Sequence, residues 1–509
     1  MNKFTTAIKI IAVMLVTALV FASCDKQTIE EIQEEVVYNP QATISLPYDS
    51  TGSLNPFKTS SRLNYDIIPL MYDSLYKVDS SLSPVNCLAT GGVTEKNTVT
   101  VSISSAKFSD GSDLTAEDVI YSFNRAKKSK NYSAGLADFD SCTASGYTLV
   151  FTLNRENSYA LSLLVFPIVK SDSAERASDI PIGTGKYYYD KENSSLEINS
   201  YNNSTIKDIR TIKLYGITDT SKLKYNLDIG SISAFTYNFS SYRISGLLNN
   251  VSRQSTNSLV YLGFNSSSVY LSDNCVRRAV SKSLNRESIA SSVYGQNATE
   301  TYMPFNPEWS AVKNITLSPS DTSVDFYTAS VLLNEAGYDT ILESGLRSGE
   351  NGVLSLTILV CKDNEYRVSI AEAIQTALKK SGINTGILKC TSEEYLENLR
   401  TGNYDMYIGE VRLPNDCSLS SFFSSSGSSA YGINQSGKSA ESYNLYKNGE
   451  IGIEEFLETF FFDCPFAPLC FRYDIIAYGT DIDSDSFDIS GDLYYNIGQW
   501  TVSTDKKEG

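Results

Sequence analysis

The stretch Lys107–Arg125, KFSDGSDLTAEDVIYSFNR, decides how the chain is to be read. Just before it, Thr98–Ile103 (TVTVSI) alternates apolar and polar residues, the pattern of a half-buried strand. Asp110-Gly111 then turns the chain. Thr115 is placed to cap a helix, with Asp118 three positions on at capping-box spacing and Leu114 positioned to staple to Val119. Ala116, Val119, Ile120, Phe123 and Ala126 fall on one face of that helix. Strand, turn and capped amphipathic helix form a scaffold unit, with no residue placed for chemistry.

Upstream, Lys3 and Lys9 precede the apolar run Ile10–Ala22. That run is too short for a membrane-spanning helix, which needs about 20 residues, and small residues follow it as before a signal-peptide cleavage site. Phe21-Ala22-Ser23-Cys24 resembles a bacterial lipobox, in which the cysteine is lipidated and becomes the first mature residue. Residues 1–23 are therefore expected to be a lipoprotein signal peptide, Cys24 the lipidation site, and acidic residues 24–40 a tether to the cell membrane. Removing residues 1–23, which hold two lysines and no acid, moves the formal charge from −17 to −19. Such an acidic balance argues against nucleic acid as a partner and against a basic membrane patch.

The chain contains no histidine, which removes Ser-His-Asp and Cys-His triads and the commonest zinc and nickel ligands. The eight cysteines after Cys24 are dispersed without a C-x-x-C pair, so no zinc site and no disulfide pairing is assigned. Cys361 and Cys390 end apolar strand-like runs and read as buried small hydrophobes. No cofactor or metal is expected. Carboxylate neighbours such as Glu393-Glu394 and Glu454-Glu455 sit where helix caps or solvated faces account for them.

Downstream, residues 354–411 alternate strand, helix, strand, helix, strand. Thr391 and Glu394 are placed to cap the second helix, and the pattern predicts a mainly parallel, covered sheet. Helices are also predicted over 273–284, after Asn285 as far as Gly295, and over 326–336. The Ser-rich stretches 420–429 and 436–442 read as loops.

The segment Phe108 to Val119 resembles the F-x-D-G-x-x-(L/F)-T-A-x-D-V motif of the family five extracytoplasmic solute-binding proteins, the peptide and nickel receptors of bacterial ABC importers. Further segments resemble that family in its order. They are Leu54-Asn55-Pro56, Gly183-Thr184-Gly185-Lys186-Tyr187 with Lys186 in place of proline, Val260–Asn265, Leu284-Asn285-Arg286, and Leu332–Tyr338 (LLNEAGY).

The resemblance implies an α/β, type II periplasmic-binding-protein-like fold with two lobes of mixed sheets flanked by helices and a hinge between them. Lobe one is expected over 41–264, with 76–180 as an inserted subdomain, lobe two over 265–470, and a return to lobe one over 471–509. The implied function is capture of oligopeptides in an interlobe cleft by hinge closure and delivery to ABC permease subunits, without catalysis, by a monomer. The ligand-binding segments it implies are Ser53, Leu54 and Asn55 in lobe one, and Gly409, Glu410, Val411, Arg412 and Asp416 in lobe two.

Relatives carry an aromatic residue after that glycine and then an aspartate that pairs with a peptide amino terminus. Here Glu410 takes the aromatic position, and the aspartate position falls on or beside Arg412 and Leu413. Asp416 or Glu410 could replace the anchor; Arg412 could instead select a carboxylate; or Glu410 and Arg412 could form a solvated surface pair. Tyr302 and Trp309 are further cleft candidates. The alternatives to peptide capture are a non-peptide solute (sugar, opine-like compound or metal chelate), a surface signalling receptor, and a secreted hydrolase.

Overall fold

The computed structural model describes residues 40–503 except 241, 242, 245, 247, 249, 319, 320, 484–488 and 490. The signal peptide, Cys24 and residues 25–39 of the tether lie outside the described residues.

Chain order builds three main sheets. Strand Ala42–Tyr48 pairs in parallel with Ile209–Gly216, and Ser195–Ile198 and Tyr187–Asp190 extend that sheet antiparallel. A second, four-stranded antiparallel sheet holds Ala89–Glu95, Thr98–Ile103, Thr148–Leu153 and Phe139–Ser145. In Thr98–Ile103 the alternation seen in the sequence sets Val99, Val101 and Ile103 inward. Helix Ala116–Ala126 lays Val119, Phe123 and Ala126 into the same core, where Phe123 meets Phe151 edge-on at 5.4 Å. Its start is fixed by Asp118, whose carboxylate accepts the Thr115 N–H at 2.9 Å and the Thr115 hydroxyl at 2.7 Å. The other Asp118 oxygen accepts the N–H and hydroxyl of Ser171, both at 2.8 Å, so one buried carboxylate ties helix to loop.

The third sheet has seven strands. Ser355–Cys361 pairs in parallel with Asn384–Cys390 and with Met406–Arg412, and helices Glu365–Lys380 and Ser392–Thr401 form the crossovers. The Thr391–Glu394 capping box forms as the spacing predicts. The remaining strands are antiparallel, so the sheet is mixed rather than mainly parallel. Two long strands, Asn250–Phe264 and Phe466–Tyr478, supply that half.

Three buried clusters result. The first gathers residues from Ile44 to Leu214 and then Ile476, Leu493, Ile497 and Trp500 from far along the chain. The second covers one face of the third sheet, with Val260, Leu262, Leu356, Ile358, Met406 and Ile408 turned into it. A third is aromatic, with Phe422 stacked on Phe466 at 4.1 Å. Strand Phe466–Tyr478 contributes to all three: Ile476 to the first, Leu469 and Ile475 to the second, and Phe466 and Phe471 to the third.

Candidate functional site

Strand Met406–Arg412 is held by its antiparallel register with Asn250–Phe264, in which Tyr261 faces Gly409 and Gly263 faces Tyr407. Each tyrosine ring lies over the glycine opposite. A Cβ on Gly409 would fall 2.3 Å from Tyr261 Cζ, and one on Gly263 would fall 2.1 Å from Tyr407 Cε1. Gly409 is therefore required by packing within the sheet, where each glycine lets the opposite ring lie flat.

The next residue, Glu410, is nearly enclosed, with its side chain 10 % exposed. It accepts from Arg472 at 2.5 and 3.0 Å and from Arg367 at 3.3 Å. Arg472 also holds Asp474 at 2.8 Å; Asp474 takes Arg62 at 2.9 Å; and Arg62 reaches Asp66 at 2.7 Å. Three arginines and three carboxylates thus alternate in one chain from helix Glu365–Lys380 to helix Arg62–Met71, with Arg367 and Arg62 partly exposed. Burial alone would raise the Glu410 and Asp474 carboxyls, but the adjoining guanidiniums outweigh it and hold both below their ordinary range. At Asp66 burial wins and the carboxyl is raised. Glu410 is consequently a structural charge partnered by Arg472 and Arg367, and it forms no surface pair with Arg412.

Arg412 ends the strand as an exposed residue and lines a cavity of about 360 Å³. Its lining draws on helix Arg62–Met71, strand Tyr76–Val78, the segment from Lys130 to Gly135, Arg412 to Asn415, and Gly491 with Asp492. Tyr65 and Tyr132 offer flat aromatic surface, their ring centroids 6.2 Å apart. Lys77 is buried on Asp492 at 2.6 Å and lies 4.7 Å from the Tyr495 ring. Burial would lower its ammonium, yet Asp492 and the neighbouring Cys87 and Asp73 raise it overall. Burial pushes the Tyr76 phenol up to about 12. The volume falls within the range of small-ligand pockets, and the lining mixes aromatic surface with a few polar groups as such pockets do.

The other sequence-predicted residues sit away from this cavity. The Ser53 hydroxyl donates to the Ala177 carbonyl at 2.5 Å, and Leu54 is in the first core. Asn55 is fully buried; it donates to the Arg176 carbonyl at 2.9 Å and accepts from Phe57 N–H at 3.0 Å. Val411 packs partly buried against the aromatic core. Asp416 is buried and accepts from Asn157 Nδ2 at 2.9 Å and Ser418 N–H at 3.1 Å; burial raises its carboxyl. Trp309 is enclosed beside Tyr159 at 4.8 Å, and Tyr302 covers the buried Arg286 at 4.5 Å. Sequence reasoning found Arg412 but missed Tyr65, Lys77, Lys130, Tyr132 and Asp492, which lie on separate elements and share no motif. Among the described residues, no group of three or more Cys, Asp or Glu is placed to hold a metal ion.

Residues 83–431 match the description "Bacterial extracellular solute-binding proteins, family 5 Middle". The chain is 25% identical over 442 residues to the oligopeptide-binding protein AppA of Bacillus subtilis, covering 80% of each. The structure of AppA from Bacillus subtilis in complex with a nonapeptide superposes with TM-score 0.66 at 22% identity, over 92% of this chain and 100% of that one. NikA from Brucella suis in complex with Fe(III)-EDTA gives TM-score 0.75 at 16% identity, over 91% and 100%. These likenesses carry the fold: two-lobed, α/β, of the type II periplasmic-binding-protein class.

Proposed function

The chain belongs to the bacterial extracellular solute-binding proteins of family 5, which bind solutes for ABC permeases and are not enzymes, and from this premise we propose that it captures oligopeptides by closing its lobes over the cavity at Arg412. The observation that carries this reading is the cavity itself. Its lining draws on helix Arg62–Met71 and on Arg412 to Asn415, which the expected lobe boundaries assign to different lobes. Ligand contacts made to both halves only when they approach would favour the closed form. The tyrosine-lined wall suits an extended backbone with variable side chains, and AppA supports a peptide as the guest. The same reading has a monomer anchored at the cell membrane through a lipid on Cys24 and handing its peptide to permease subunits.

Two measurements test it. Thermal unfolding of the purified protein is expected to shift upward with members of a mixed oligopeptide library, and small-angle scattering to report a smaller radius of gyration with those members. Absence of any shift across the library would count against peptide capture. Labelling with radioactive palmitate is expected to mark the wild type and to vanish in Cys24→Ser; unlabelled wild type would rule out the anchor.

A further inference from the structure

The charges around the cavity are not balanced. Lys77 and Asp492 neutralise one another, whereas Lys130 and Arg412 line the same cavity and form no ion pair with any described residue. The alternating chain of three arginines and three carboxylates balances without Arg412. Arg412 is near enough to help hold Asp474 ionised, but both Asp474 oxygens are already taken, one by Arg472 and the other by Arg62. Space has been left for the guanidinium: a Cβ on Gly491 would stand 3.0 Å from Arg412 Nη2, and Gly491 adopts φ +79°. An unpaired guanidinium in a cavity is a bidentate receptor for a carboxylate. Its setting sharpens the point, since the whole chain carries formal charge −17 and has a net repulsion for anions. Asp492 also lines the cavity, but its carboxylate is committed to Lys77 and leaves the two cations uncompensated.

Building on the reading of the cavity as the solute site, we propose that it selects solutes carrying a carboxylate, which Arg412 binds and Lys130 attracts. The guest class is thus acidic peptides or peptides with a free carboxyl terminus, rather than peptides recognised by backbone alone.

Calorimetric titration of the full-length protein with four probes tests this: penta-alanine with a free carboxyl terminus, its carboxyl-terminal amide, the amide of Ala-Ala-Glu-Ala-Ala, and glutarate. The two carboxylate peptides are expected to bind at least about tenfold tighter than the neutral amide, the worth of a charge-assisted bond. Arg412→Gln should erase that ratio, Arg412→Lys should keep part of it, and raised salt should shrink it. Equal binding of acid and amide forms overturns the selectivity while leaving peptide capture standing. Binding of glutarate alone, dependent on Arg412, keeps the selectivity and overturns peptide capture. Binding of none of the four overturns both. The acid-to-amide comparison in the wild type needs no variant, so it holds even if Arg412→Gln does not fold.

Discussion

Gly409 and Glu410 stand side by side, and each answers to a different force. Gly409 lies under the Tyr261 ring, so Gly409→Ala must push that ring off its strand neighbour. Overpacking of this kind costs about 1–3 kcal/mol, and a urea midpoint lowered accordingly is expected. Glu410 is the sole ion-pair partner of Arg367 among the described residues and one of two for Arg472. Glu410→Gln leaves a buried guanidinium uncompensated, at a cost of about 3–5 kcal/mol. The pH dependence follows from the directions of the shifts. Glu410 and Asp474 are depressed on folding, so their stabilisation is complete above the ordinary carboxylate range and is lost as pH falls through their lower folded values. Asp66 is raised, so its cost grows as pH climbs from the ordinary carboxylate value to its folded one, and it is relieved on acidification. Urea midpoints measured against pH should therefore fall steeply only below the ordinary carboxylate range, and Glu410→Gln should flatten that limb.

Two helices begin with the same acid-at-third-position signature and differ in what the acid touches. Glu394 is exposed and serves only its own N-cap, Thr391. Asp118 is buried and serves both Thr115 and Ser171. Thr391→Ala is expected to cost about 1 kcal/mol, an ordinary cap. Asp118→Ala should cost about twice that or more, because it also orphans the Ser171 groups, and thermal melts of the two variants will rank them. Such elements were legible because periodicity and capping act over three or four residues. Val99, Val101, Val119 and Phe123 reached the core as their spacing indicates. The mixed character of the third sheet was not legible, since the partner strands Phe466–Tyr478 and Asn250–Phe264 are separated by some two hundred residues of sequence. Nor was the pairing of Glu410 with Arg472 and Arg367, which needs three elements to meet.

The two tryptophans report on different cores, Trp500 on the first and Trp309 on the aromatic third. Strand Phe466–Tyr478 places side chains in all three cores, so none can lose its packing without disturbing that strand. Fluorescence unfolding curves of Trp309→Phe and Trp500→Phe are accordingly expected to coincide; separated midpoints would show that the cores melt independently. The cavity belongs to this scale as well. Arg412 could be singled out from its local setting, but Lys130 and Asp492 join it only through the assembled fold, and no spacing along the chain encodes them.

The first core has a consequence for biosynthesis. Its earliest side chain is Ile44, and it is sealed by Ile476, Leu493, Ile497 and Trp500. A polypeptide still emerging from the ribosome therefore holds an unfinished apolar surface for almost the whole of its synthesis, and only the last tenth of translation supplies the missing side chains. Until those residues emerge the first core cannot close, so its folding is expected to be completed only after synthesis ends.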